Sequence, residues 1–190
     1  MDVDRTLLFI ALALAITAAV FDVRQHRIPN WLTYPGMVLG FVLQGLLFGW
    51  KGLGIWKGLA SAGEGLLLAG GIMFLFYAVR AMGAGDVKLM AAVGSLVGPR
   101  NAIVVLIATA ISGGLMAIVY AVYRGRMGAT FRNLGSVLWF HARSGLQAHP
   151  ELNLDNPTAL RMPYGLAIAT GTLYAFLLAM CGGDLRKLVG

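Results

Sequence analysis

Four stretches of this chain, 6–21, 28–50, 101–123 and 162–183, contain no Asp, Glu, Lys or Arg. A helix that crosses a bilayer needs roughly 20 mostly apolar residues, and three of these runs are that long. A fifth apolar run, about 59–79, is interrupted only by Glu64, and a sixth, about 87–98, is short. Inside a bilayer every backbone N–H and C=O must find its partner within the protein, so such runs fold as helices. The expectation is an all-α integral membrane protein of six spans.

Composition agrees. Of 190 residues, 58% are hydrophobic and 12% charged, about half the charged share of an ordinary soluble domain. The net charge of +7 raises the question of nucleic acid, which the placement of the charges answers. With six spans and the N-terminus outside, the inner loops hold Arg24, Arg27, Arg80, Lys88, Arg124, Arg126, Arg132, Arg143 and Arg161. The outer side holds Arg5, Lys51, Lys57, Arg100, Arg186 and Lys187, a split of nine against six. This follows the positive-inside rule. The basic excess therefore reads as topology and contact with anionic lipid, not as binding of nucleic acid. Asp2 and Asp4 beside Arg5 give the first run the wrong charge for a cleaved signal peptide.

The chain reads as one membrane domain, 1–190, with a polar loop at 124–161. Within that loop Phe131, Leu134, Leu138 and Leu146 approximate a helical stripe, with Arg132 and Arg143 off it. An interfacial amphipathic helix before the last span is one reading, an ordinary loop the other. Gly36 and Gly40, and likewise Gly94 and Gly98, are four apart, a spacing that lets membrane helices approach closely. The lone Cys181 rules out a disulfide framework within the chain and reads as a buried packing residue.

Eight residues are acidic. Asp2, Asp4 and Asp184 lie near the termini, and Glu151 and Asp155 lie in the polar loop. Asp22, Glu64 and Asp86 remain at or inside the membrane, where an ionisable group costs a few kcal/mol and marks a functional candidate. Asp22 closes the first run and Asp86 opens the short one, so six spans put both at the inner side. Two carboxyls meeting there would hold one proton between them, because like charges in contact do not both ionise cheaply. That is the arrangement of aspartic proteases. Gly83 and Gly85 before Asp86 permit close approach of a substrate chain. The plainer readings are a helix N-cap for Asp86 and a solvated ion pair with Arg24 or Arg27 for Asp22.

Asp22 followed by basic residues and Ile28-Pro29-Asn30, then Gly83-Ala84-Gly85-Asp86-Val87-Lys88, resembles the type IV prepilin peptidases. These are the bacterial branch of the GxGD aspartyl proteases, to which presenilin and archaeal preflagellin peptidases are related. Pro163-Tyr164-Gly165 looks like the family's third, weaker motif. The resemblance implies that Asp22 and Asp86 are the catalytic pair, working without a cofactor or metal. It implies a site facing the cytoplasm in a bacterial inner membrane, and prepilin or pseudopilin substrates cut after a glycine of the leader. Larger members carry a cytoplasmic domain with paired cysteines and also N-methylate the new terminus. Here the second span follows Asp22 at once, as in the compact peptidases of tight-adherence (Flp) pili, so cleavage without methylation is expected.

Other residues stay open between two readings. Glu64 contacts the basic leader of a substrate or pairs with a buried cation. Lys88 biases the acid pair or reaches for the membrane surface. Pro163 and Gly165 shape the site near Asp86 or simply start a helix. The competing function is a transporter using Asp22, Glu64 and Asp86 as an ion relay, although no repeated halves are visible. Zinc and serine protease chemistries lack their residues: there is no His-Glu-x-x-His, and no span contains a histidine.

Overall fold

The computed structural model describes residues 3–123 and 163–181. They form five helical elements: α1 Val3–Gln25, α2 Asn30–Trp50, α3 Ile55–Ala78, α4 Ala84–Tyr123 and α5 Tyr164–Met180. Four are long and apolar enough to cross a membrane, and the 17-residue α5 is a shorter apolar helix. The expected all-α membrane class is what the described residues show. The amphipathic helix considered for 124–161 lies outside them.

The turns follow from local chemistry. α1 stops at His26, whose φ is +50° and whose N–H still donates to the Asp22 carbonyl at 2.8 Å. Pro29, extended at φ −72° and ψ 140°, stands before Asn30, and its carbonyl accepts the first bond of α2 from Leu32 at 3.1 Å. Proline suits a helix start because its missing N–H would have no intrahelical partner there. Between α2 and α3, Gly52 and Gly54 take φ of +70° and +92°, values glycine adopts without strain.

α4 is two helices in one. Gly98 is non-helical, at φ +74° and ψ 173°, and Pro99 follows it. The break separates segment 84–97 from segment 99–123, at the place where the short apolar run 87–98 ends and before the run 101–123 begins. It also frees carbonyls at the end of the first segment. Gln44 of α2 supplies the missing donor: its amide nitrogen bonds Ser95 O at 3.0 Å and Leu96 O at 3.1 Å, fully inside the protein. A buried carbonyl left without a donor costs about 1–3 kcal/mol. Gln44→Leu should therefore destabilise the fold by about 2 kcal/mol, seen as a lower thermal transition; an unchanged transition would refute the capping role.

The short segment is the centre of the molecule. Every residue from 89 to 98 is buried. It is walled by α3, α2 and α1, with α5 against α1 and the rest of α4. Small residues make the contacts. Gly65 of α3 lies on the Gly94 carbonyl, Gly94 lies on the Gly65 carbonyl and Ala69, and Gly40 of α2 lies on Ser95. The Gly36/Gly40 and Gly94/Gly98 spacings are thus packing features, as read from sequence. The outside is apolar instead: Phe9, Leu67 and Ile111 are 60%, 72% and 67% exposed. Small residues inside and large ones outside is how helices associate in lipid, where close packing replaces the hydrophobic effect. Trp31 and Tyr34 at one end of α2, and Trp50 and Trp56 at the other end of the α2–α3 hairpin, are exposed where an aromatic belt is expected.

Candidate active site

The end of α1 and the starts of α2, α4 and α5 gather at one end of the bundle. Asp22 lies on the last turns of α1 and is only 8% exposed. Its Oδ2 accepts the peptide N–H of Gly165, in the first turn of α5, at 2.8 Å. The solvated ion pair with its basic neighbours is therefore not what forms: Arg24 and Arg27 are exposed, and the carboxyl turns inward. Asp86 is the third residue of α4 and partly buried. Its N–H bonds Gly83 O at 3.2 Å, the turn that starts the helix. Tyr164 opens α5 beside Gly165, so it stands next to the residue that holds Asp22.

The sequence motifs interlock. Gly85 packs on Ile28: a Cβ at Gly85 would stand 3.2 Å from the Ile28 Cβ. Lys88 donates from Nζ to Asn30 Oδ1 at 3.0 Å and lies 5.1 Å from the centroid of the Tyr34 ring. Lys88 thus ties the start of α4 to the start of α2. Such a cation–ring contact at an exposed place contributes about 0.5–1 kcal/mol. An open pocket beside it is lined by Gln25, Arg27, Ile28, Pro29 and Asn30.

The remaining expected residues divide. Pro163 is the N-cap residue of α5 and Gly165 holds Asp22, so the third motif meets the first acid directly. Glu64 does not join them. It is exposed on α3, pointing away from the Gly65 face that meets α4, and has no hydrogen bond or ion pair among the described residues. Cys181, expected to be buried, is exposed just beyond α5. Two neighbours of the site were not singled out from sequence. Asn30 and Tyr164 enter the sequence analysis only as members of their motifs; a polar and a phenolic side chain at the starts of apolar helices are the available signal.

A model of the type IV leader peptidase family matches residues 9–118, more than half of the chain. The chain belongs to the type IV leader peptidase family. Neither the curated proteins nor the solved structures contain a match. The matched stretch runs through α1, α2, α3 and most of α4, so it includes Asp22, Asn30, Gly83, Gly85, Asp86 and Lys88. This leader peptidase is a multi-pass membrane protein, and prepilin-type substrates are those its family implies in general.

Proposed function

We propose that this leader peptidase is an aspartic endopeptidase. Built as a single membrane domain, it removes the leaders of prepilins or pseudopilins at the cytoplasmic face of a bacterial inner membrane. Asp22 and Asp86 form the catalytic pair. The observation that supports this reading is that the end of α1, carrying the nearly buried Asp22, and the start of α4, carrying Asp86, come to the same end of the bundle, where Gly85 packs on Ile28.

The chemistry is a hydrolysis shared by two carboxyls. The ionised carboxylate takes a proton from water as the water oxygen bonds to the scissile carbonyl carbon. The protonated partner gives its proton to the carbonyl oxygen as negative charge develops there. Collapse of the tetrahedral species then breaks the C–N bond, and the leaving amine takes a proton from the pair. The glycine-flanked start of α4 suits this, since Gly83 and Gly85 present backbone without side chains beside Asp86. An ion relay through the same acids is not favoured, because Glu64 faces outward on α3.

The nine-to-six split of basic residues supports the cytoplasmic orientation. The short connection from α1 to α2 just after Asp22, with no cysteine pair in it, supports cleavage without methyl transfer. The test is incubation of purified protein with a prepilin and a methyl donor, followed by mass spectrometry of the product. The expected product lacks its leader and carries an unmodified N-terminus. An intact substrate would overturn the peptidase assignment, and an added methyl group would overturn its restriction to cleavage.

A further inference from the structure

We propose that Gly165 is a positioning residue for cleavage: its peptide N–H holds one oxygen of the Asp22 carboxyl, and a side chain there would crowd that carboxyl. The inference rests on the proposed role of Asp22 in catalysis and goes beyond it, because Gly165 lies outside the family match at 9–118.

The N–H groups in the first turn of any helix have no partner within that helix. At the start of α5 the N-cap residue is Pro163, and no side chain of its own caps the turn. The Gly165 N–H is instead taken by Asp22 Oδ2 from α1, at 2.8 Å. Asp22 thereby caps α5 from another helix. Space confirms how closely the two are matched: a Cβ on Gly165 would stand 3.0 Å from Oδ2, 3.1 Å from the Asp22 Cβ and 3.4 Å from its Cγ. Retreat is blocked, since the adjacent turn of α1 is packed into the core through Ala18 and Ala19.

The consequence is chemical as well as steric. An oxygen that accepts a peptide N–H does not itself carry the acid proton. The positive end of a helix dipole at the same place favours the charged carboxylate.

The experiment compares three forms of the full chain in lipid, reading prepilin cleavage across pH. The first is Gly165→Ala. The second replaces Gly165 by glycolic acid, which turns the N–H into an ester oxygen and adds no side chain. The third is Gly171→Ala, where a Cβ would crowd Thr109 and the Val105 carbonyl, remote from the acids. Losing a hydrogen bond to a charged group is expected to lower kcat about 10- to 100-fold in the first two, with KM nearly unchanged. Without the N–H the charged form of Asp22 is less favoured, so the acid limb of the pH profile should move to higher pH by about one unit. Gly171→Ala should lower the thermal transition and leave the acid limb in place. An unmoved limb in the ester form, or an equal shift in Gly171→Ala, overturns the positioning role; if Gly165→Ala does not fold, the ester form decides alone. A wild-type chain that cuts no prepilin, or an Asp22→Asn variant that cuts it normally, would sink the peptidase reading instead.

Discussion

Asp22→Asn and Asp86→Asn should each stop prepilin cleavage while leaving the protein folded and inserted. Asn has nearly the shape of Asp, and its side-chain oxygen still accepts the Gly165 N–H that Asp22 accepts at 2.8 Å. What it lacks is a proton it can take up and release near neutral pH. General acid–base catalysis by one such group is worth about 10²–10⁴-fold, so each single variant should fall by at least that factor. Because the pair works as a unit, the double variant should be hardly slower than either single one. Glu64→Gln should be nearly neutral, since Glu64 is exposed on α3 and apart from the two aspartates. A time course of cleavage by each purified variant, with its thermal transition measured alongside, tests all four. Substantial cleavage by Asp86→Asn would end the aspartic peptidase proposal.

Gly65→Val should cost the protein its fold. Gly65 is where α3 crosses the short central segment, and its backbone touches the Gly94 carbonyl. A Cβ there would also stand 2.9 Å from the carbonyl carbons of Gly94 and Gly98. These are backbone atoms, so no side chain can swing aside to make room. Overpacking a core ordinarily costs about 1–3 kcal/mol, and more where the neighbours cannot move. The variant should lose its cooperative thermal transition or be degraded in the cell. Gly71→Ala, on the same helix but with open space around it, should behave as the parent does. If Gly65→Val melts at the parent temperature, the close α3–α4 crossing is wrong.

The two glycines show why the sequence is readable only in part. Gly65 and Gly71 look alike on an apolar helix, yet one is buried and the other exposed. In a soluble helix the polar face reveals which side is out. Here both sides of α3 are apolar, so composition says that the helix crosses lipid but not which stripe meets its neighbours. The same blindness covers Glu64: its cost in the membrane makes it a candidate, and only the structure places it on an exposed side of α3.

Asp22 and Asp86 were legible for a physical reason. Acids are expensive in or beside the bilayer, so the few that persist there stand out against an otherwise uncharged background. The glycines around Asp86 and the Ile28-Pro29-Asn30 segment added the family resemblance, which the match over 9–118 bears out. What those residues touch was not legible. Neither reading of Lys88 named its partners, Asn30 and the Tyr34 ring.

By itself, then, the sequence determined the helical class and which apolar runs become helices. Those follow from local causes: runs of apolar residues long enough for a bilayer, and backbone groups that need internal partners. Only the tertiary structure decided that Gln44 closes the end of the short segment, that Gly165 holds Asp22, and that Glu64 faces outward. Each of these joins or separates residues far apart in the chain, with 51, 52 and 143 positions between partners in the first two cases. Such contacts depend on which small-residue faces pack together, and that is a property of the assembled helices, not of any one of them.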